Sequence, residues 1–227
     1  MNRELRINGQ RLWDSLMSMA QIGATPKGGV CRLALTEEDR IARDLFGRWV
    51  QEAGCTLRID AMGNMFARRP GRNSRLAPVL TGSHVDSQPT GGKFDGIYGV
   101  MAGLEVLRTL NDSGTQTERP IEVVNWTNEE GSRFAPSMVA SGVYAGVFDL
   151  EYGLSRTDPQ GVSIGDALRS IGYAGPSAVG GEAVHAAFEL HIEQGPILEA
   201  EANTIGVVIG AQGQRWYEVE LTGRSAH

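Results

Sequence analysis

Short β-type runs alternating with segments of helical period constrain this chain more than any other feature. Pro78-Val79-Leu80-Thr81 is a compact apolar run closed by Gly82. From Gly96 onward Ile97, Val100, Met101, Leu104 and Leu107 recur every three or four residues until Gly114, the stripe of a core-facing helix. Ile121-Glu122-Val123-Val124-Asn125-Trp126 then reads as another strand. Upstream, Thr36 before Glu37-Glu38-Asp39 looks like an N-cap with an acidic first turn, and Gly54 like the stop of a helix over 37–53. Alternating residues over 55–59 and 64–68 read as strands. Further helices are expected near 137–146 and 163–171, and strands over 187–192, 204–209 and 216–221. The pattern points to an α/β fold, a sheet layered by helices.

Composition removes several classes of partner. With 21 Lys and Arg against 27 Asp and Glu the net charge is −6, and no basic run offers a footprint for nucleic acid or an anchor for a membrane surface. The longest uncharged stretch, 134–148, contains Pro136 and falls short of the roughly 20 apolar residues of a spanning helix. The first residues lead into no apolar segment of a secretory signal, so a cytoplasmic location is expected. Cys31 and Cys55 are too few for a disulfide framework and read as reduced thiols.

The ionisable residues collect where strands end. His84 follows the run ending at Leu80, Glu129-Glu130 follows Trp126, and His191 closes the run that begins at Phe188. In open α/β sheets the carboxyl ends of strands line the ligand crevice, so groups distant in sequence converge there and suggest a metal site. Asp86, two residues after His84, could fix that imidazole's tautomer. Asp95 would ordinarily be a helix N-cap, but beside the other groups a bridging metal ligand is preferred. Of two adjacent glutamates, one can bind metal while its neighbour acts as general base. His185 has no such setting and reads as structural or exposed. Gly91-Gly92-Lys93 is no phosphate loop, because Ser87 and Phe94 stand where that motif needs glycine and a hydroxyl residue.

Five motifs now stand in order: Thr81-Gly82-Ser83-His84-Val85-Asp86-Ser87, Gly91-Gly92-Lys93-Phe94-Asp95-Gly96, Asn125-Trp126-Thr127-Asn128-Glu129-Glu130-Gly131, His191-Ile192-Glu193-Gln194-Gly195-Pro196 and Gly223-Arg224-Ser225-Ala226-His227. Together they resemble the dinuclear zinc amidohydrolases related to aminoacylases and zinc carboxypeptidases. Within that family they are most similar to the branch of N-carbamoyl-L-amino-acid hydrolases, β-ureidopropionases and allantoate amidohydrolases. Relatives that act on ordinary peptides tend to carry an acidic residue where this chain has His191, which favours the carbamoyl and ureido branch.

The resemblance implies a zinc-peptidase-like mixed sheet flanked by helices. It makes His84, Asp95, Glu130 and His191 the ligands of two divalent ions, zinc first, with manganese, cobalt or nickel as alternatives. Asp95 would bridge, through a cis Asp95-Gly96 peptide. Glu129 becomes the general base, Asp86 the group that orients His84, and Gln194 and His227 substrate contacts. His227 would reach the active site of the partner in a homodimer, and the substrate would be a small N-carbamoyl or ureido compound. The family continues past the last motif, so residues 1–210 are expected to be an incomplete catalytic domain and 211–227 the first strand of a truncated α+β dimerisation or lid domain. A chain of this length alone is expected to self-associate, to bind less zinc and to turn over negligibly. An inactive fragment that keeps the fold and partial metal binding is the alternative of another class.

Overall fold

The computed structural model describes residues 5–213, 215, 217 and 219–225. Its contacts divide the chain into two units, Met1–Ile192 and Glu193–His227. The first unit holds helices α1 (Gly9–Met19), α2 (Glu37–Glu52), α3 (Ile97–Asp112), α4 (Val139–Tyr144), α5 (Leu150–Ser155) and α6 (Ile164–Ser170). Its strands are β1 (Thr56–Ile59), β2 (Met65–Arg69), β3 (Val79–His84), β4 (Ile121–Trp126) and β5 (Ala186–Phe188), in the order β1-β2-β4-β3-β5.

Local chemistry sets the main elements. Thr36 Oγ1 accepts from the Asp39 N–H, and Glu37, Glu38 and Asp39 place negative charge at the positive end of α2. At the other end Gly54 takes φ 77°, which lets the Cys55 N–H turn back to the Val50 carbonyl. Strands β3 and β4 are parallel, and a parallel pair needs a long crossover, which α3 supplies. β5 runs parallel to β3 on its other side, while β1 and β2 complete the sheet in antiparallel fashion. The carboxyl ends of β3, β4 and β5 therefore emerge at one edge of the sheet, and there His84, the 127–130 turn and the 189–191 segment follow.

Alternation along the strands separates two faces. Met65, Ala67 and Val123 join Leu16 and Met19 of α1, Phe46 and Val50 of α2, and Val100, Met101, Leu104 and Leu107 of α3 in the main core. Burying such side chains contributes roughly 1.5–3 kcal/mol each and dominates the stability of the unit. Phe66, Leu80 and Val124 point the other way and meet Trp126, Tyr144 and Val184.

Several expectations change. The strand over 187–192 shrinks to β5, because its later residues leave the ladder to carry His191. The run over 204–209 is irregular backbone. Ile205, Val207, Val208 and Ile209 are 81–98% exposed and meet no partner strand among the described residues, without which a strand is not stable. Trp216 and Glu218 of the last expected strand lie outside the described residues, and Tyr217, Val219 and Leu221 are exposed. Among its described residues the second unit has one short helix, α7 (Ile197–Ala200), whose first amides donate to the Glu193 carboxylate. No helix among the described residues is long and apolar enough to cross a membrane.

Candidate metal centre

His84 ends β3 almost fully buried, with Nδ1 2.9 Å from the Asp86 carbonyl oxygen. His191 uses its Nδ1 in the same way, 2.9 Å from the Ile192 carbonyl. A carbonyl can only accept, so each Nδ1 carries a proton and Nε2 is the ring nitrogen left to face the site. There His84 Nε2 lies 3.3 Å from Glu129 Oε2, and His191 Nε2 lies 3.2 Å from Asp95 Oδ1. A ring nitrogen and a carboxylate oxygen at this distance are held together by a cation between them, a proton or a metal ion. One ligand atom each from His84, Asp95 and His191 lies within 4.8 Å of the others, the spacing of a metal site.

The turn into α3 aims Asp95. Gly96, not Asp95, is the N-cap of α3 and no side chain caps the helix, so the carboxylate is not spent on the helix end. The Asp95-Gly96 peptide, expected cis, is trans. The reversal is made by a γ-turn, in which Gly96 takes φ 64° and ψ −51° and the Ile97 N–H donates to the Asp95 carbonyl at 2.6 Å. A Cβ at residue 96 would sit 2.2 Å from His84 Nε2, so only glycine lets this turn pass the imidazole.

Asp86 acts differently from the sequence reading. Its carboxylate Oδ1 is 3.7 Å from His84 Nδ1, beyond hydrogen-bond range, and its backbone carbonyl holds the ring instead. The two carboxylate oxygens accept from the Glu129 and Glu130 N–H groups, both at 3.2 Å, and so pin the turn that carries the glutamates. Full burial pushes the Asp86 carboxyl up to about 6 even with His84 opposing the rise. Burial also raises the Glu129 and Glu130 carboxyls. His84 is disfavoured as a cation by burial, but Asp86, Glu129 and Glu130 outweigh that and raise its pKa. Negative charge thus accumulates around two imidazoles, a set of donors suited to a divalent cation.

Glu130 supplies the test of fit. Gln88 Nε2 donates to its Oε2 at 2.6 Å, while Oε1 is buried with no hydrogen-bond partner among the described residues. A buried carboxylate oxygen left bare costs free energy unless a ligand meets it, so Glu130 fits a metal ligand. Glu130 is not part of the tight cluster of the other three expected ligands. Gln194 lies in the second unit with φ 57°, and His227 lies outside the described residues. His185 is exposed, as expected.

Other supports carried no spacing signal in the sequence. Ser83 Oγ donates to Glu189 Oε1 at 2.5 Å and ties the His191 segment to β3. Gly99 lets that segment approach α3, since a Cβ there would fall 2.6 Å from the Leu190 carbonyl oxygen. Arg32, buried, donates to the Val85 carbonyl at 2.6 Å and fixes the loop between His84 and Asp86. Only the fold brings Arg32 to the His84 loop and Glu189 to Ser83, 53 and 106 residues apart in sequence.

Residues 80–227 match the family described as peptidase family M20/M25/M40. The chain belongs to that family. It is 57% identical over 222 residues to an N-carbamoyl-L-amino-acid amidohydrolase of Rhizobium meliloti, covering 98% of this chain and 53% of the relative. It is 36% identical to an allantoate amidohydrolase of Bacillus subtilis, across 94% of this chain and 52% of that one. The solved structure of a hydantoinase/carbamoylase family amidase from Burkholderia multivorans superposes with a TM-score of 0.87 at 70% identity, over 87% of this chain and 48% of the other. The chain spans about half the length of these relatives.

Proposed function

We propose that the whole protein hydrolyses N-carbamoyl-L-amino acids, releasing the amino acid, ammonia and carbon dioxide. The observation that carries this reading is the meeting of His84, Asp95 and His191 beside Glu129. The similarity to the Rhizobium meliloti amidohydrolase favours the carbamoyl substrate, and the similarity to the Bacillus subtilis enzyme keeps allantoate as the second reading.

His84, Asp95, Glu130 and His191 would hold two divalent ions, zinc first, with Asp95 shared between them. Such ions, when bound, polarise a carbonyl and make water more acidic. Glu129 Oε2 takes a proton from the attacking water as its oxygen bonds to the carbamoyl carbon. Glu129 then delivers that proton to the amino-acid nitrogen as the C–N bond breaks, and the carbamate left behind decomposes to ammonia and carbon dioxide. Burial raises the Glu129 carboxyl towards the operating pH, which suits a group that both takes and returns a proton. Asp86 holds the backbone of the 129–130 turn still throughout. Gln194 and His227 contact substrate in this reading, His227 from the partner subunit of a homodimer. Cys31 and Cys55, both free, accord with a cytoplasmic enzyme.

The test is ammonia release from N-carbamoyl amino acids and from allantoate by the purified full-length protein, before and after chelation and after zinc is restored. Turnover of the carbamoyl compounds that vanishes on chelation and returns with zinc supports the reading. Turnover of allantoate alone gives the second reading, and no turnover of either refutes both.

A further inference from the structure

Glu130 has one oxygen bare and one engaged, and the engaged one leads outward through a short chain of hydrogen bonds. Gln88 Nε2 donates to Glu130 Oε2 at 2.6 Å, and the Ser132 hydroxyl donates to Gln88 Oε1 at 2.6 Å. The amide can sit only one way round, because its carbonyl turned to the carboxylate would set oxygen against oxygen. The anchor of Gln88 is firm although its side chain is at the rim. Its carbonyl accepts from Ser87 Oγ and from the Gly91 N–H, and Ser87 is itself bonded to the backbone of Arg32 in both directions.

We propose that Gln88 is a positioning residue for Glu130: held by Ser132, it occupies Oε2 and commits the carboxylate to offering Oε1 alone to a metal ion. The choice of glutamine has a physical reason. An amide donates to a carboxylate without cancelling its charge, so the bare oxygen keeps its full attraction for a cation. A lysine or arginine at the same place would pair with Glu130 and compete with the ion. Fixing one oxygen in advance also removes the rotational freedom that a free carboxylate loses on binding. This assignment rests on the reading of the site as a metal centre.

The experiment measures zinc affinity of the full-length protein by competition with a chromophoric chelator, for the parent, Gln88→Leu, Ser132→Ala and the double variant. Outer groups of this kind are worth about ten- to hundredfold in metal affinity. Gln88→Leu is expected to weaken zinc binding by that factor, Ser132→Ala by less, and the double variant by no more than Gln88→Leu, because Ser132 acts only through Gln88. Melting of the metal-free proteins should be unchanged, as a loss of general packing would not leave it. Parent-like affinity in Gln88→Leu, an equal fall in metal-free stability, or full additivity of the two changes overturns the assignment. A parent that binds no zinc removes the metal centre itself and this role with it.

Discussion

Glu129 and Glu130 are neighbours in the chain with different surroundings. Glu129 Oε2 faces His84 Nε2 at 3.3 Å, whereas Glu130 is held by Gln88 and keeps a buried bare oxygen. Glu130→Gln is therefore expected to lose metal, and Glu129→Gln to keep metal while losing rate by roughly 10²–10⁴. Elemental analysis and kinetics of both purified variants decide it, and equal metal loss in the two would sink the division of labour. Gly96→Ala is a sharper probe of geometry. The new Cβ would meet His84 Nε2 at 2.2 Å on a backbone with φ 64°, so the ring or the turn must move. Backbone strain of this kind costs about 1–3 kcal/mol. Both a lower melting temperature and weaker zinc binding are expected, and unchanged zinc binding would mean that His84 has room the structure does not give it. At this scale His84, Glu129, Glu130 and His191 could be singled out because they lie at or just beyond strand ends, whereas Asp95, in the turn ahead of α3, reads alone as a helix cap. The use Asp86 makes of its carboxylate was not, because it depends on amides 43 and 44 residues away.

Helix α1 is fastened to α3 chiefly through the buried Glu105 carboxylate, with Arg11 also reaching Asp112 at 2.8 Å and Arg108 donating to Ser15 Oγ at 3.0 Å. Glu105 is 1% exposed on its side chain and accepts from Arg11 Nε at 2.8 Å, from Arg11 Nη2 at 2.8 Å and from the Asn8 N–H at 2.9 Å. Burial pushes its carboxyl upward, but Arg11 and the Asn8 amide outweigh burial and hold it below the usual value. A folded pKa below the unfolded one means stability that is present above the unfolded value, about 4.3, and is lost as pH falls through the folded value. Arg11→Ala leaves a buried acceptor short of donors and is expected to cost about 1–3 kcal/mol at neutral pH. The difference from the parent should shrink as the solution is acidified below about pH 4.3; denaturant melts across that range check it, and a difference that persists into acid refutes the linkage. Helix α1 itself shows why some elements escape a reading of sequence. Its Leu12, Leu16 and Met19 keep helical spacing, but Gly9 opens it and Trp13 lies on its exposed side, which blurs the stripe. Caps made α2 readable, and the stripe made α3 so. The order β1-β2-β4-β3-β5 was not readable, because pairing between distant strands has no local signal.

Over the whole molecule, apolar surface is distributed unevenly between the two units. In the first, Phe46, Leu104 and their neighbours are fully buried. In the second, Ile205, Val207, Val208 and Ile209 are 81%, 82%, 87% and 98% exposed, in a stretch without charge or proline. Short windows of β-branched residues with no charge pair readily with copies of themselves when exposed, since their backbone amides and carbonyls are also unpaired. The 227-residue chain on its own is therefore expected to self-associate through 204–210, in a concentration-dependent way. A charge in the centre of that window should prevent the pairing, because stacking copies would bring like charges together. Val208→Lys changes a residue that is 87% exposed, where a substitution ordinarily alters stability by no more than about 0.5 kcal/mol. Sedimentation velocity over a range of concentrations compares the two chains, with circular dichroism to establish that both are equally folded. A monomeric parent, or a Val208→Lys chain that associates as strongly as the parent, would show that these four side chains are not what brings copies together.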